Sequence, residues 1–163
     1  MKDFLHDHHV INGAVPVADA FATSLTTDYI SLANYRRATF IIHTGNATSG
    51  TADGTVTILQ STVAAGTSST TVPFRYRVSA SSTTVDTWGA STAAVAAGFS
   101  MTAGDNYIYM VEVTAEDLEA TSAGKYFVAC KVTEVTDDPV VSSILCILSE
   151  PRFPGKVPVQ AIA

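Results

Sequence analysis

The sequence predicts an all-β protein: an antiparallel two-sheet sandwich, jelly-roll-like, with one short helix and extended terminal arms. Three observations point there. Thr, Ser, Val and Ala number 22, 15, 18 and 23 of the 163 residues, a composition suited to strands joined by small polar turns. Apolar and polar residues alternate with a period of two through the middle of the chain, as strands with one wet face require. Turn signals such as Asp53-Gly54 and Thr136-Asp137-Asp138-Pro139 punctuate these stretches. Many short strands with small polar turns favour a sandwich over a barrel. The length suits one domain, able to bury roughly 70% of the surface of its unfolded chain.

Residues 1–16 lack alternation and end in Asn12-Gly13 and Pro16, so they read as an N-terminal arm ahead of a body spanning residues 17–150. Tyr29 to Leu32 is a weaker strand. In Arg37 to His43, Ala38, Phe40 and Ile42 share one face; in Thr55 to Ser61, Val56 and Ile58 do, behind the turn pair Asp53-Gly54. The cleanest strand is Val72 to Val78, with Val72, Phe74, Tyr76 and Val78 on one side and Arg75 and Arg77 on the other. Pro73 cannot donate to a ladder, which places it at a strand start or on an edge. Thr84 to Trp88 and Gly98 to Thr102 are weaker strands. Asn106 to Thr114 lines up Tyr107, Tyr109, Val111 and Val113 against Glu112.

Thr114 is placed to cap a short helix, Ala115 to Ala120, with Glu116 and Asp117 at the positive end of its dipole. Gly124 closes that segment. Thr44 to Gly54, Ala64 to Thr71, Ala80 to Thr83 and Ala90 to Ala97 are small-sided and read as solvated connections. The last two strands, Tyr126 to Glu134 and Val140 to Ser149, flank the Asp137-Asp138 turn. A hairpin there would set Cys130 and Cys146 directly opposite each other, either as small buried hydrophobes or as a bond formed late in oxidising surroundings. The closing segment, Pro151 to Ala163, holds three prolines among apolar residues and prefers extended conformations. Such arms either fold back on their own domain or lie on another subunit.

The functional classes narrow by exclusion. Nine Lys and Arg against fifteen Asp and Glu give a net charge of -6, without the basic clusters that phosphate contacts need, so no nucleic-acid partner is expected. No apolar run reaches the roughly 18 residues of a membrane helix, and residues 1–9 carry no apolar signal core. No membrane partner is expected, and synthesis in a cytoplasm is. Phosphate-loop, dinucleotide, zinc-protease, nucleophile-elbow and calcium-loop motifs are absent; no cofactor and no enzymatic activity are expected. His6-Asp7-His8-His9 offers competent metal ligands, but neighbours in an extended arm point to opposite sides, so the cluster reads as a polar contact element. Trp88 is either a packing residue at a sheet end or a stacking platform for a sugar.

The stretch from Val72 to Glu150 resembles small virion proteins encoded in the head-gene clusters of tailed bacteriophages. The strings that carry the resemblance are Pro73 to Arg77, Ala96 to Phe99, Ala103 to Tyr107, Thr133 to Val140 and Leu148 to Arg152. It implies a capsid decoration (cement) protein: a jelly-roll-like sandwich, trimer favoured, on the outer capsid surface, bridging subunits of the major capsid protein. A neck, tail or head-fibre-base component, or a carbohydrate-binding β-domain, is the alternative. The resemblance carries over no individual contact position; the arms themselves are the expected partner-binding parts, Phe4, Leu5, His8 and His9 toward shell attachment and Arg152, Phe153, Val157 and Val159 toward bridging subunits.

Overall fold

Strict alternation leaves each strand one face for a core and one for water, and two such sheets stacked face to face bury both inner faces. The computed structural model of the chain describes residues 4–50, 53–80 and 86–153. A helical turn, α1 (Phe4–Asp7), leads into β1 (His9–Val17), β2 (Ser24–Thr26), β3 (Ile30–Ser31), β4 (Tyr35–Ala47) and β5 (Asp53–Ser61). Then come β6 (Thr70–Val72), β7 (Phe74–Val78), β8 (Thr92–Ala94), β9 (Phe99–Ser100) and β10 (Ile108–Thr114). The helix α2 (Ala115–Thr121), β11 (Phe127–Thr136) and β12 (Val140–Pro151) complete the described chain.

The strands pair antiparallel in two sheets. The first runs β1-β12-β4-β10-β7-β8 and the second β2-β11-β5-β6, with β3 also on β11 and β9 also on β5. Pairing is nested: the first strand lies on the last, β2 on β11, β4 on β10, and β5 on β6. That nesting is jelly-roll connectivity, extended by β7 and β8 at one edge. Ala38, Phe40, Ile42, Val111, Val113, Ile144, Cys146 and Leu148 from the first sheet meet Val56, Ile58, Val72, Val128, Cys130 and Val132 from the second, all fully buried. Ridges of this kind explain why the alternation in β4, β5 and β10 was so regular.

The sequence predicts eight or nine strands; the described residues form twelve. The stretch Val72 to Val78 is not one strand but two, broken at Pro73, where the chain leaves β6 in the second sheet and enters β7 in the first. Its faces are as read, with Phe74 buried and Arg75 and Arg77 exposed. The small-sided stretch Ala90 to Ala97 includes β8, which pairs Thr92, Ala93 and Ala94 with β7. Asp53-Gly54 opens β5 rather than turning before it, and Asp53 accepts a bond from the Thr136 N–H. Of the weak strand Thr84 to Trp88, residues 84 and 85 lie outside the described residues, and Trp88 forms an isolated bridge to Ser79.

The terminal hairpin is the largest correction. β11 and β12 lie in different sheets, so Cys130 pairs with Ile58 and Cys146 with Phe40. Both thiols are free and point into the core from opposite sheets. The turn between the strands is anchored at long range. Buried Asp138 accepts from the Ser49 N–H at 2.9 Å, and the Pro139 carbonyl accepts from the Thr48 N–H at 3.1 Å. Those bonds tie the turn to the β4–β5 connection and send β12 across to β4.

The short helix forms where predicted, by a reciprocal cap. The Asp117 N–H donates to Thr114 Oγ1 at 3.1 Å, while Asp117 Oδ2 accepts from the Thr114 N–H at 2.9 Å. Leu118 is the side chain this helix buries fully. Asp117→Ala removes one half of the cap and is expected to cost about 1 kcal/mol, or roughly 2–4 °C in a thermal melt. An unchanged melting temperature would show that α2 is held by Leu118 alone.

Candidate functional site

The stretch read as an N-terminal arm is mostly an edge strand: residues 9–17 pair with β12 from His9↔Leu148 to Val17↔Ser142. Its alternation is weak because only Ile11 is buried and the register shifts twice, around Ala14. Ahead of it, α1 packs on β12. Phe4 is 51% exposed and Leu5 79% exposed. The His8 ring stacks on Phe4 with centroids 4.4 Å apart, and His8 Nδ1 lies 3.3 Å from the Phe4 carbonyl. The His9 ring meets the edge of Tyr35 at 6.3 Å.

The other end of the described chain arrives at the same corner. Pro151 pairs with Tyr35, and the Arg152 N–H donates to the Asn34 carbonyl at 2.9 Å. Arg152 is exposed, and Phe153 is 61% exposed. Val157 and Val159 lie outside the described residues. The structure thus brings six of the eight sequence-derived candidates, Phe4, Leu5, His8, His9, Arg152 and Phe153, to the corner of the first sheet where α1 and β1 meet β12, with His9 against Tyr35 of β4.

That corner is stiff. Arg37, two residues from Tyr35, pairs with Glu112 on β10 at 2.8 Å and with Glu150 on β12 at 3.0 Å. Tyr35 is buried, and burial raises its phenol above the ordinary value, so it is a neutral wall. Among the described residues, no group of three or more His, Cys, Asp or Glu is placed to hold a metal ion, and no helix is long and apolar enough to cross a membrane. His8 and His9 face different partners, Phe4 and Tyr35.

A second feature lies at the opposite edge of the same sheet. Side chains of Arg75, Arg77, Met110, Glu112 and Thr39 share the outer face, because Arg75 pairs with Glu112, Arg77 with Met110, and Glu112 with Thr39. Trp88 stands opposite Ser79, which continues the Arg75–Arg77 parity, and so joins that face. Together with Tyr76 and Ser91 these residues line a cavity of about 390 Å³. The arginine face and Trp88 stand apart in the sequence; the pairing of the chain around Ser79 and Trp88 joins them.

No family model matches the chain, and no curated protein matches it. Among solved structures it is similar to the crystal structure of the SPBc2 prophage-derived protein YomS, with 14% sequence identity. The match covers 87% of this chain and 92% of that one, with a TM-score of 0.43. A superposition this loose assigns no role.

Proposed function

We propose that the protein is a non-catalytic virion component that decorates a phage capsid and braces adjacent subunits of the major capsid protein. The observation that carries this reading is the convergence of both ends of the described chain, with exposed Phe4, Leu5 and Phe153, on one stiffened corner of a jelly-roll body. Exposed aromatic and aliphatic anchors grouped at one place suit partner contact, where a few buried side chains dominate affinity. The sequence resemblance to head-cluster virion proteins supports the same role, and the outer capsid surface is the location it implies. A trimer is the assembly the resemblance favours, and several copies of a modest contact would sum to firm attachment.

The fold limits how this is tested. Deleting residues 1–16 would remove β1, so the informative truncations end before it. Removal of residues 1–7, and separately of residues 153–163, is expected to lower retention on purified capsids several-fold while leaving the melting temperature nearly unchanged. Full retention of both truncated proteins would reject the corner as the attachment site. A copy number of tens per particle, rather than hundreds, would place the protein in a neck or tail instead.

A further inference from the structure

We propose that the cavity beside Trp88 is a binding site for a carboxylate-bearing pyranose, such as a uronic acid residue of an acidic oligosaccharide. The inference is independent of the virion reading. A cavity of about 390 Å³ falls in the range of small-ligand sites, roughly 300–1,000 Å³. Its walls combine the three features such a sugar needs. Trp88, the only tryptophan in the chain, is 38% exposed and offers an indole surface to the apolar C–H face of a ring. The hydrogen bonds Ala80 N–H to Thr87 O at 3.1 Å and Gly89 N–H to Val78 O at 2.9 Å fix the backbone on either side of it.

The charge is supplied by two arginines. Arg75 is held in place by Ser91, with Nε donating to Oγ at 3.2 Å and Nη2 to the backbone carbonyl at 3.4 Å. Its guanidinium is therefore oriented before any ligand arrives. Arg77 is exposed and makes no ion pair among the described residues. Glu112, the one acid in the wall, is already neutralised by Arg37 at 2.8 Å. The cavity therefore carries a net positive charge within a chain of net charge -6. Planar guanidinium forks match a carboxylate better than a hydroxyl, while Thr39, Ser91 and Glu112 remain for the sugar's hydroxyls.

Two other anionic partners fit less well. A nucleic acid strand needs a track of cations along its backbone, and two arginines are not a track. An acidic peptide binding as a strand needs a row of free backbone groups at a sheet edge, whereas this cavity opens on the sheet's face.

The sole tryptophan makes the site self-reporting. Titration of the intact protein with tetragalacturonate is expected to change Trp88 fluorescence saturably. Maltotetraose, the neutral comparison, should bind at least about tenfold more weakly, and so should tetraglutamate. Arg77→Gln, an exposed change that leaves the melting temperature intact, is expected to weaken tetragalacturonate binding about tenfold. Arg75→Gln should weaken it similarly. The proposal is overturned if tetragalacturonate produces no saturable change at millimolar concentration, or if the folded double variant binds it as well as the parent. Equal binding of tetraglutamate would also overturn it, and would identify an acidic protein segment as the ligand.

Discussion

Gly98→Ala is expected to destabilise the sandwich by about 3 kcal/mol or more, the largest single-residue effect outside the deep core. Two independent costs add at this position. Gly98 has φ +87, a left-handed conformation that an L side chain resists at about 1–2 kcal/mol. A Cβ there would also lie 2.0 Å from the carbonyl oxygen of Val56, a fully buried residue in the middle of β5. Backbone in the centre of a sheet cannot yield cheaply, so β9 must lift away from β5, losing the Phe99↔Val56 pairing. Phe99 also stacks on Tyr76 at 3.8 Å, which ties this short strand to β7 in the other sheet. Gly124→Ala is the matched comparison: φ is +77 there, but nothing lies within 4 Å of the added atom. It should cost only about 1 kcal/mol. Urea unfolding of the two variants separates conformation from collision, and equal midpoints would remove the collision from the account.

The contrast shows what a sequence displays about a fold of this kind. Alternation is visible wherever one face of a strand is fully buried and the other wet, as in Ala38, Phe40 and Ile42 of β4 or Tyr109, Val111 and Val113 of β10. The helix was equally visible, because a reciprocal Thr114–Asp117 cap is a local interaction. Edge strands give no such signal: β1 buries only Ile11 and bends around Gly13, so it reads as an arm. The choice between a hairpin and a sheet-crossing connection at Asp137-Asp138 is not local either. It is made by Ser49 and Thr48, about ninety residues away.

The candidate sites follow the same division. Phe4, Leu5 and Phe153 could be picked out as unpatterned apolar residues near the ends, but their placement at one corner depends on β12 pairing with both β1 and β4. Arg75 and Arg77 were legible as one face of β7. Their union with Trp88 needed the register of a second strand, and their free charge needed Arg37 to occupy Glu112. Composition shows which residue types are available; long-range pairing decides which of them act together.

The buried cysteines make the sandwich alkali-labile in a defined window. Burial pushes the Cys130 thiol from about 9 up to about 12, and burial together with neighbouring Cys130 pushes Cys146 up as well. The folded protein thus keeps both thiols protonated where the unfolded chain has begun to ionise. Above the ordinary thiol value the unfolded state binds fewer protons than the native one, so stability falls as pH rises. The contribution is fully present below about pH 8.5 and is lost as the pH climbs toward the native value near 12. Each thiol costs about 1 kcal/mol per pH unit in that window. Tyr109, buried at the Thr102 backbone and raised from 10.0 to about 12, adds to the loss only above about pH 10. Urea midpoints of the reduced protein should therefore fall steeply between about pH 8.5 and 10, where the thiols act alone among these groups. A Cys130→Ala, Cys146→Ala double variant is expected to start less stable, because it leaves small cavities, and to decline far less over the same range. Parallel decline of the two proteins would sink the assignment. In the native protein near pH 8, neither thiol should react with a thiol reagent until urea opens the space between the sheets, since the reactive thiolate is suppressed by the same burial.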